Sequence, residues 1–143
     1  MRTQPQRRLV EAQAPVAVGY EGAAGVRALL EALVPDGWEE FREGPGLPPI
    51  ALTKGAAAIS LEPGGQFEWA GSPHRTAREA HEENAAHVRR LSELSSRLGI
   101  RIVALGYRPF DRIATMRWMP KSRYGAMKAT LGSVKSLLPT DFP

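Results

Sequence analysis

Cysteine is absent from the 143 residues, which removes disulfides, thiolate metal sites and a cysteine nucleophile from consideration. No stretch approaches the roughly 18 consecutive apolar residues a membrane-spanning helix needs. Arg2, Arg7 and Arg8 near the N-terminus have no long apolar run behind them, which argues against a secretory signal. These absences make a cytoplasmic protein with no membrane association the default expectation. Charge of one sign is scarce too: 19 lysines and arginines stand against 15 acids. Such a mild basic surplus suits nucleic acid, but equally ATP or a dicarboxylate. The basic residues are scattered, with no block of roughly five or six like charges, so nucleic-acid binding is not expected.

A hydrophobic share of 43% and a charged share of 24% are ordinary for a globular domain. The length allows one modest core rather than two. No internal repeat is visible. Residues 1–15 read as a poorly ordered lead-in, with a short strand near Leu9-Val10. A helix is expected from Glu21 to Val34, with Val26, Leu29, Leu30 and Leu33 as its buried stripe. Pro35-Asp36-Gly37 ends it, and the glycines and prolines of residues 35–49 predict a loop.

Short strands are expected over Ile50–Leu52, Ala57–Glu62 and Gln66–Trp69, with turns at Lys54-Gly55 and Pro63-Gly64-Gly65. Ser72-Pro73 then leads into a long helix, Arg75–Leu98, closed by Gly99. Val88, Leu91, Leu94 and Leu98, with Ala77 and Ala80, supply its apolar face. Ile100–Tyr107 reads as a buried strand, Pro109 to Pro120 as a loop, Ser122–Leu131 as a final helix, and 132–143 as a tail. Strands and helices without a βαβ rhythm predict an α+β fold, a partial antiparallel sheet with flanking helices.

The chemistry concentrates in residues 60–68. Side chains alternate faces along a strand, so a three-residue Pro63-Gly64-Gly65 loop puts Glu62 opposite Gln66 and Ser60 opposite Glu68. The other face carries Ile59, Leu61, Phe67 and Trp69. Hard oxygen ligands of this kind suit Mg²⁺, which takes one or two carboxylates plus waters and substrate phosphates. A cation would also offset the repulsion of two nearby carboxylates. On pattern alone, an ordinary amphipathic hairpin with a solvated acidic face is the commoner origin of such alternation.

Ser60-Leu61-Glu62-Pro63-Gly64-Gly65-Gln66-Phe67-Glu68, continuing into Trp69-Ala70-Gly71-Ser72-Pro73, resembles the signature of the plant and proteobacterial glutamate–cysteine ligase family. That family is similar to glutamine synthetase, whose Glu…Pro-Gly-Gln-aromatic-Glu hairpin supplies metal ligands. Tyr20-Glu21-Gly22 and Gly25-Val26-Arg27, followed by Leu29-Leu30-Glu31, resemble the family's early helix. Ile50-Ala51-Leu52-Thr53 precedes the hairpin in the same order. Leu98-Gly99-Ile100 leads into Leu105-Gly106-Tyr107-Arg108-Pro109, where the family has a Gly-Phe-Gln-Pro-like turn. Trp118-Met119-Pro120-Lys121-Ser122-Arg123-Tyr124, with Met127 after it, resembles the family's Met-Pro-Lys-Gly-Arg-Tyr…Met segment.

The resemblance spans residues 16–131 and implies part of a glutamine synthetase-like catalytic domain. It implies an ATP- and Mg²⁺-dependent enzyme. Such a ligase phosphorylates the γ-carboxylate of L-glutamate, and the amine of L-cysteine then attacks the acyl phosphate. It implies Glu62 and Glu68 as metal-binding acids and Gln66 as an outer or nucleotide-side partner. Lys121 and Arg123 would hold a substrate carboxylate or phosphate; a charged helix start explains the same two residues equally well.

Three departures stand out. Arg108 replaces the usual glutamine. The Gly-Thr-Glu-His-Glu type strand has Arg7-Arg8-Leu9-Val10-Glu11-Ala12 in its place, with Glu11 as its one acid. Family members are also several times larger. The chain therefore reads as an internal fragment, whose alternatives are a γ-glutamyl ligase for another amine or a non-catalytic remnant whose partner chain supplies missing strands.

Other patterns carry less. His81-Glu82-Glu83-Asn84-Ala85 lacks the second histidine of a zinc-protease helix. His81 and His87 fall on different helix faces and read as solvated. Trp38, Trp69 and Trp118 read as packing residues.

Overall fold

The structure, a computed structural model, describes residues 18–62, 64–104 and 118–135. Four antiparallel strands run in the order β1-β2-β3-β4: β1 (Glu39–Phe41), β2 (Ala51–Lys54), β3 (Ala57–Glu62) and β4 (Gln66–Ala70). Among the described residues three α-helices accompany them, α1 (Val26–Leu33), α2 (Ala77–Arg97) and α3 (Ser122–Lys135), with a 3₁₀ turn at Val34–Asp36 after α1. The α+β class with a partial antiparallel sheet is therefore observed. Among the described residues no helix is long and apolar enough to cross a membrane.

Burial explains the sheet. β3 alternates, with Ala57, Ile59 and Leu61 buried and Ala58, Ser60 and Glu62 half-buried. The α1 stripe of Val26, Leu29, Leu30 and Leu33 is buried as its spacing predicts. It joins Leu52, Ile59, Leu61, Leu91 and Leu94 in one core, with Phe67 and Trp69 packed against it.

Helix α1 begins five residues later than expected. Gly25 is extended (φ −88°, ψ 165°), and its N–H closes a turn by donating to the Gly22 carbonyl at 2.9 Å. A Cβ on Gly25 would lie 2.5 Å from the Tyr20 carbonyl oxygen, so this turn requires glycine. Strand β1 lies inside the expected 35–49 loop. Glu39-Glu40-Phe41 has no apolar alternation to announce a strand, and its pairing with Ala51–Thr53 makes it one.

Helix α2 opens at a capping box. The Glu79 N–H donates to Thr76 Oγ1 at 3.2 Å, and the Thr76 N–H donates to Glu79 Oε2 at 3.1 Å, satisfying two otherwise orphan donors. It closes as expected at Gly99 (φ +70°). The Gly99 N–H donates to Ser96 O and the Ile100 N–H to Ser95 O, the pattern of a glycine-terminated helix. Val88, expected on the apolar face, is 54% exposed, whereas Leu91 and Leu94 are buried.

The strand expected over Ile100–Tyr107 is not formed at 101–104, where Ile102 and Val103 are 46% and 64% exposed. An apolar run becomes a buried strand only when a sheet offers it a neighbour, and among the described residues none pairs with it. Residues 105–107, Arg108, the Leu9-Val10 strand, Glu11 and the tail from 136 lie outside the described residues. Helix α3 runs four residues past the expected Leu131.

Candidate active site at the hairpin

The β3–β4 register is the one the sequence predicts: Glu62 pairs with Gln66, Ser60 with Glu68, Leu61 with Phe67 and Ile59 with Trp69. Gly64 (φ +80°) and Gly65 (φ +78°) supply the left-handed turn conformations. The apolar face anchors the ribbon, so Ser60, Glu62, Gln66 and Glu68 share the opposite face. Glu68 is exposed, while Glu62 and Gln66 are half-buried.

The start of α3 meets this face. Met119 and Tyr124 are buried at 2% exposure and pin the segment between them. Arg123 Nη2 donates to Glu62 Oε1 at 3.0 Å, and Lys121 Nζ lies 3.5 Å from the same oxygen. The Tyr124 hydroxyl is 2.9 Å from Glu62 Oε2 and 2.9 Å from the Leu61 carbonyl oxygen. Lys121, Arg123 and Glu62, nominated separately from the sequence, thus form one cluster. Gln66 stands across the hairpin from Glu62, and Glu68 lies one pair further along. A diagonal across an antiparallel pair spans about 7–8 Å.

Burial pushes the Glu62 pKa up. The Tyr124 hydrogen bond and the charges of Lys121 and Arg123 outweigh it and hold the carboxyl below its usual range. Glu62 is therefore ionised at neutral pH. Its pair with Arg123, whose side chain is 60% exposed, is screened by solvent and adds little to folding. The cluster is better suited to recognition than to stability.

Tyr124 belongs to the family-like segment, but the sequence assigned it no role. A tyrosine in the first turn of a helix reads as core, and the one available signal is that a buried phenol needs a hydrogen-bond partner.

Behind the sheet lies a second group. His87, expected to be solvated, instead stacks on Trp69 with ring centroids 4.4 Å apart and planes 10° from parallel. Trp38 approaches His87 at 5.9 Å. The reason is that α2 lies against the strand that carries Trp69, a placement that helix periodicity alone does not contain. Glu83 accepts from the Ser72 N–H and hydroxyl at 2.9 and 2.8 Å and meets His74 Nε2 at 2.8 Å. Arg90 grips Asp36 through two bonds, at 2.6 and 2.9 Å. These groups line a cleft of about 390 Å³, in which Asp36 is held by Arg90, Glu83 by Ser72 and His74, and Lys54 donates to the Asp36 carbonyl.

Among the described residues no group of three or more His, Asp or Glu side chains could hold a metal. Mg²⁺ asks less of a protein: one or two carboxylates, the remaining ligands being water and phosphate. Ionised Glu62, exposed Glu68 and the Ser60 hydroxyl on one face fit that demand. Any cation at Glu62 shares its oxygens with Arg123 and Tyr124.

The sequence pattern of glutamate-cysteine ligase family 2 (GCS2) matches residues 8–138. The chain belongs to this family. Relatives include the chloroplastic glutamate–cysteine ligases of Brassica juncea, 36% identical, and of Medicago truncatula and Arabidopsis thaliana, both 35% identical. Each match covers 100 residues, which is 70% of this chain and 19% of the relative, so the chain spans about a fifth of those proteins. The cytoplasmic expectation is overturned, since these relatives are named chloroplastic. An organelle address is read from a targeting segment, so the overall composition of a folded region does not report it.

Proposed function

We propose that this chain carries the metal-and-phosphate corner of an ATP-dependent ligase that joins the γ-carboxylate of L-glutamate to the amine of L-cysteine. The observation that carries the reading is the convergence of Lys121 and Arg123 on ionised Glu62 at the end of the family's hairpin. In the reaction, a γ-carboxylate oxygen attacks the terminal phosphorus of ATP and ADP leaves. The amine of cysteine then attacks the acyl carbon, loses a proton and expels phosphate.

Each nominated side chain has a part. Glu62 and Glu68 would hold Mg²⁺, which when bound supplies positive charge against the transferring phosphoryl group. Gln66 flanks Glu62 on the nucleotide side. Arg123, largely exposed, has a planar fork that meets a carboxylate or phosphate in bidentate fashion, and Lys121 adds a point charge beside it.

A second reading is that turnover requires further polypeptide. The exposure of Ile102 and Val103 and the two acids on the hairpin face favour it. ADP release that depends jointly on glutamate, cysteine and Mg²⁺ is the test. Release from the 143-residue chain alone supports the first reading. Mg²⁺-dependent ATP binding without turnover supports the second, and neither binding nor turnover removes the enzyme reading. Glu62→Gln or Glu68→Gln should abolish Mg²⁺-dependent ATP binding measured by calorimetry, and unchanged affinity would refute the ligand assignment. Replacing cysteine by other amines in the same assay tests the acceptor.

A further inference from the structure

We infer that Tyr124 is a positioning residue whose hydroxyl ties Glu62 to Arg123, so that the acid and the base of the hairpin site are held as one unit. The inference rests on the proposed roles of those two residues and adds a third. A phenol has one proton to donate and can also accept. The hydroxyl faces Glu62 Oε2 and the Leu61 carbonyl oxygen, both at 2.9 Å, and accepts from Arg123 Nη2 at 3.2 Å. Of the two acceptors, the carboxylate makes the stronger bond because it is charged. The same Arg123 Nη2 also donates to Glu62 Oε1. Carboxylate, phenol and guanidinium therefore close a ring of three hydrogen bonds.

The aromatic ring completes the arrangement. Arg123 Cζ lies 5.1 Å and Lys121 Nζ 5.6 Å from its centroid, both within cation–π range. Trp118 packs on the ring at 6.1 Å in a tilted contact, and the residue is 2% exposed. Tyr124 thus touches all three charged members of the cluster from a fixed, buried position. Glutamate and arginine are flexible side chains, and a site that must meet a phosphate gains from having both immobilised beforehand.

The test uses the 143-residue chain with Tyr124→Phe, which keeps the ring and removes the hydroxyl. The Mg²⁺-ATP dissociation constant should rise on the order of 10-fold to 100-fold, as when a partner behind a metal ligand is lost. Equal affinity in the two proteins overturns the inference. A second measurement needs no ligand: the ¹⁵N signals of the Arg123 guanidinium should report hindered rotation in the wild type and faster rotation in Tyr124→Phe. Glu62→Gln should free them as well, and the double variant should loosen no further than either single one. Unchanged signals, or fully additive loosening, overturn the coupling. If the wild type binds no Mg²⁺-ATP, the ligase reading of this chain fails, and the guanidinium signals alone decide whether Tyr124 couples the pair.

Discussion

His87 shows how far a residue's setting departs from its place in a pattern. Burial lowers its pKa below the ordinary 6.5, with Glu83 pulling the other way. The folded chain therefore takes up this proton at lower pH than the unfolded chain. The stability that follows is complete above about pH 6.5 and is lost as pH falls toward the folded value. His87→Phe preserves a ring on Trp69 and removes the titration. The thermal midpoint of the wild type should fall more steeply than that of the variant between about pH 7 and pH 5, and parallel curves would disprove the assignment. Glu62 has the same sign lower on the scale, its contribution being lost as pH falls below the usual carboxylate range. Glu62, Gln66, Ser60 and Glu68 were legible as one face because strand alternation is local. His87 was not, because what covers a helix face depends on the layer beneath it.

The elements divide by how much of their cause lies within them. Helix α2 carries its own start and stop in Thr76, Glu79 and Gly99. Thr76→Ala should cost about 1 kcal/mol in chemical denaturation, and a change below about 0.3 kcal/mol would show the cap to be redundant. The helix begins at Ala77, two residues after the expected Arg75, because Thr76 is its cap, while Glu83 accepts from the Ser72 N–H and hydroxyl and ties down the preceding stretch. Strand β1 has no cause of its own. It exists through its ladder with β2, which is why Glu39-Glu40-Phe41 was read as loop. The 100–107 segment errs the opposite way, strand-like in composition yet unpaired over 101–104 among the described residues.

For the whole molecule, that last segment separates fold stability from any larger assembly. Val103→Ser should change the unfolding free energy of this chain by less than about 0.5 kcal/mol, since the side chain is already in water. Leu61→Ala, in the core, should cost about 2–5 kcal/mol. A large loss with Val103→Ser in denaturant titrations would mean that the residue is buried.

The α+β class, the hairpin register and the family were determined by the sequence by itself, because glycine turns and side-chain periods act over a few residues. The tertiary structure alone decided that Lys121, Arg123 and Tyr124 meet Glu62, with Arg123 61 positions away from it. That meeting depends on how α3 seats against the end of β3 through buried Met119 and Tyr124. No local pattern encodes the placement of one element on another.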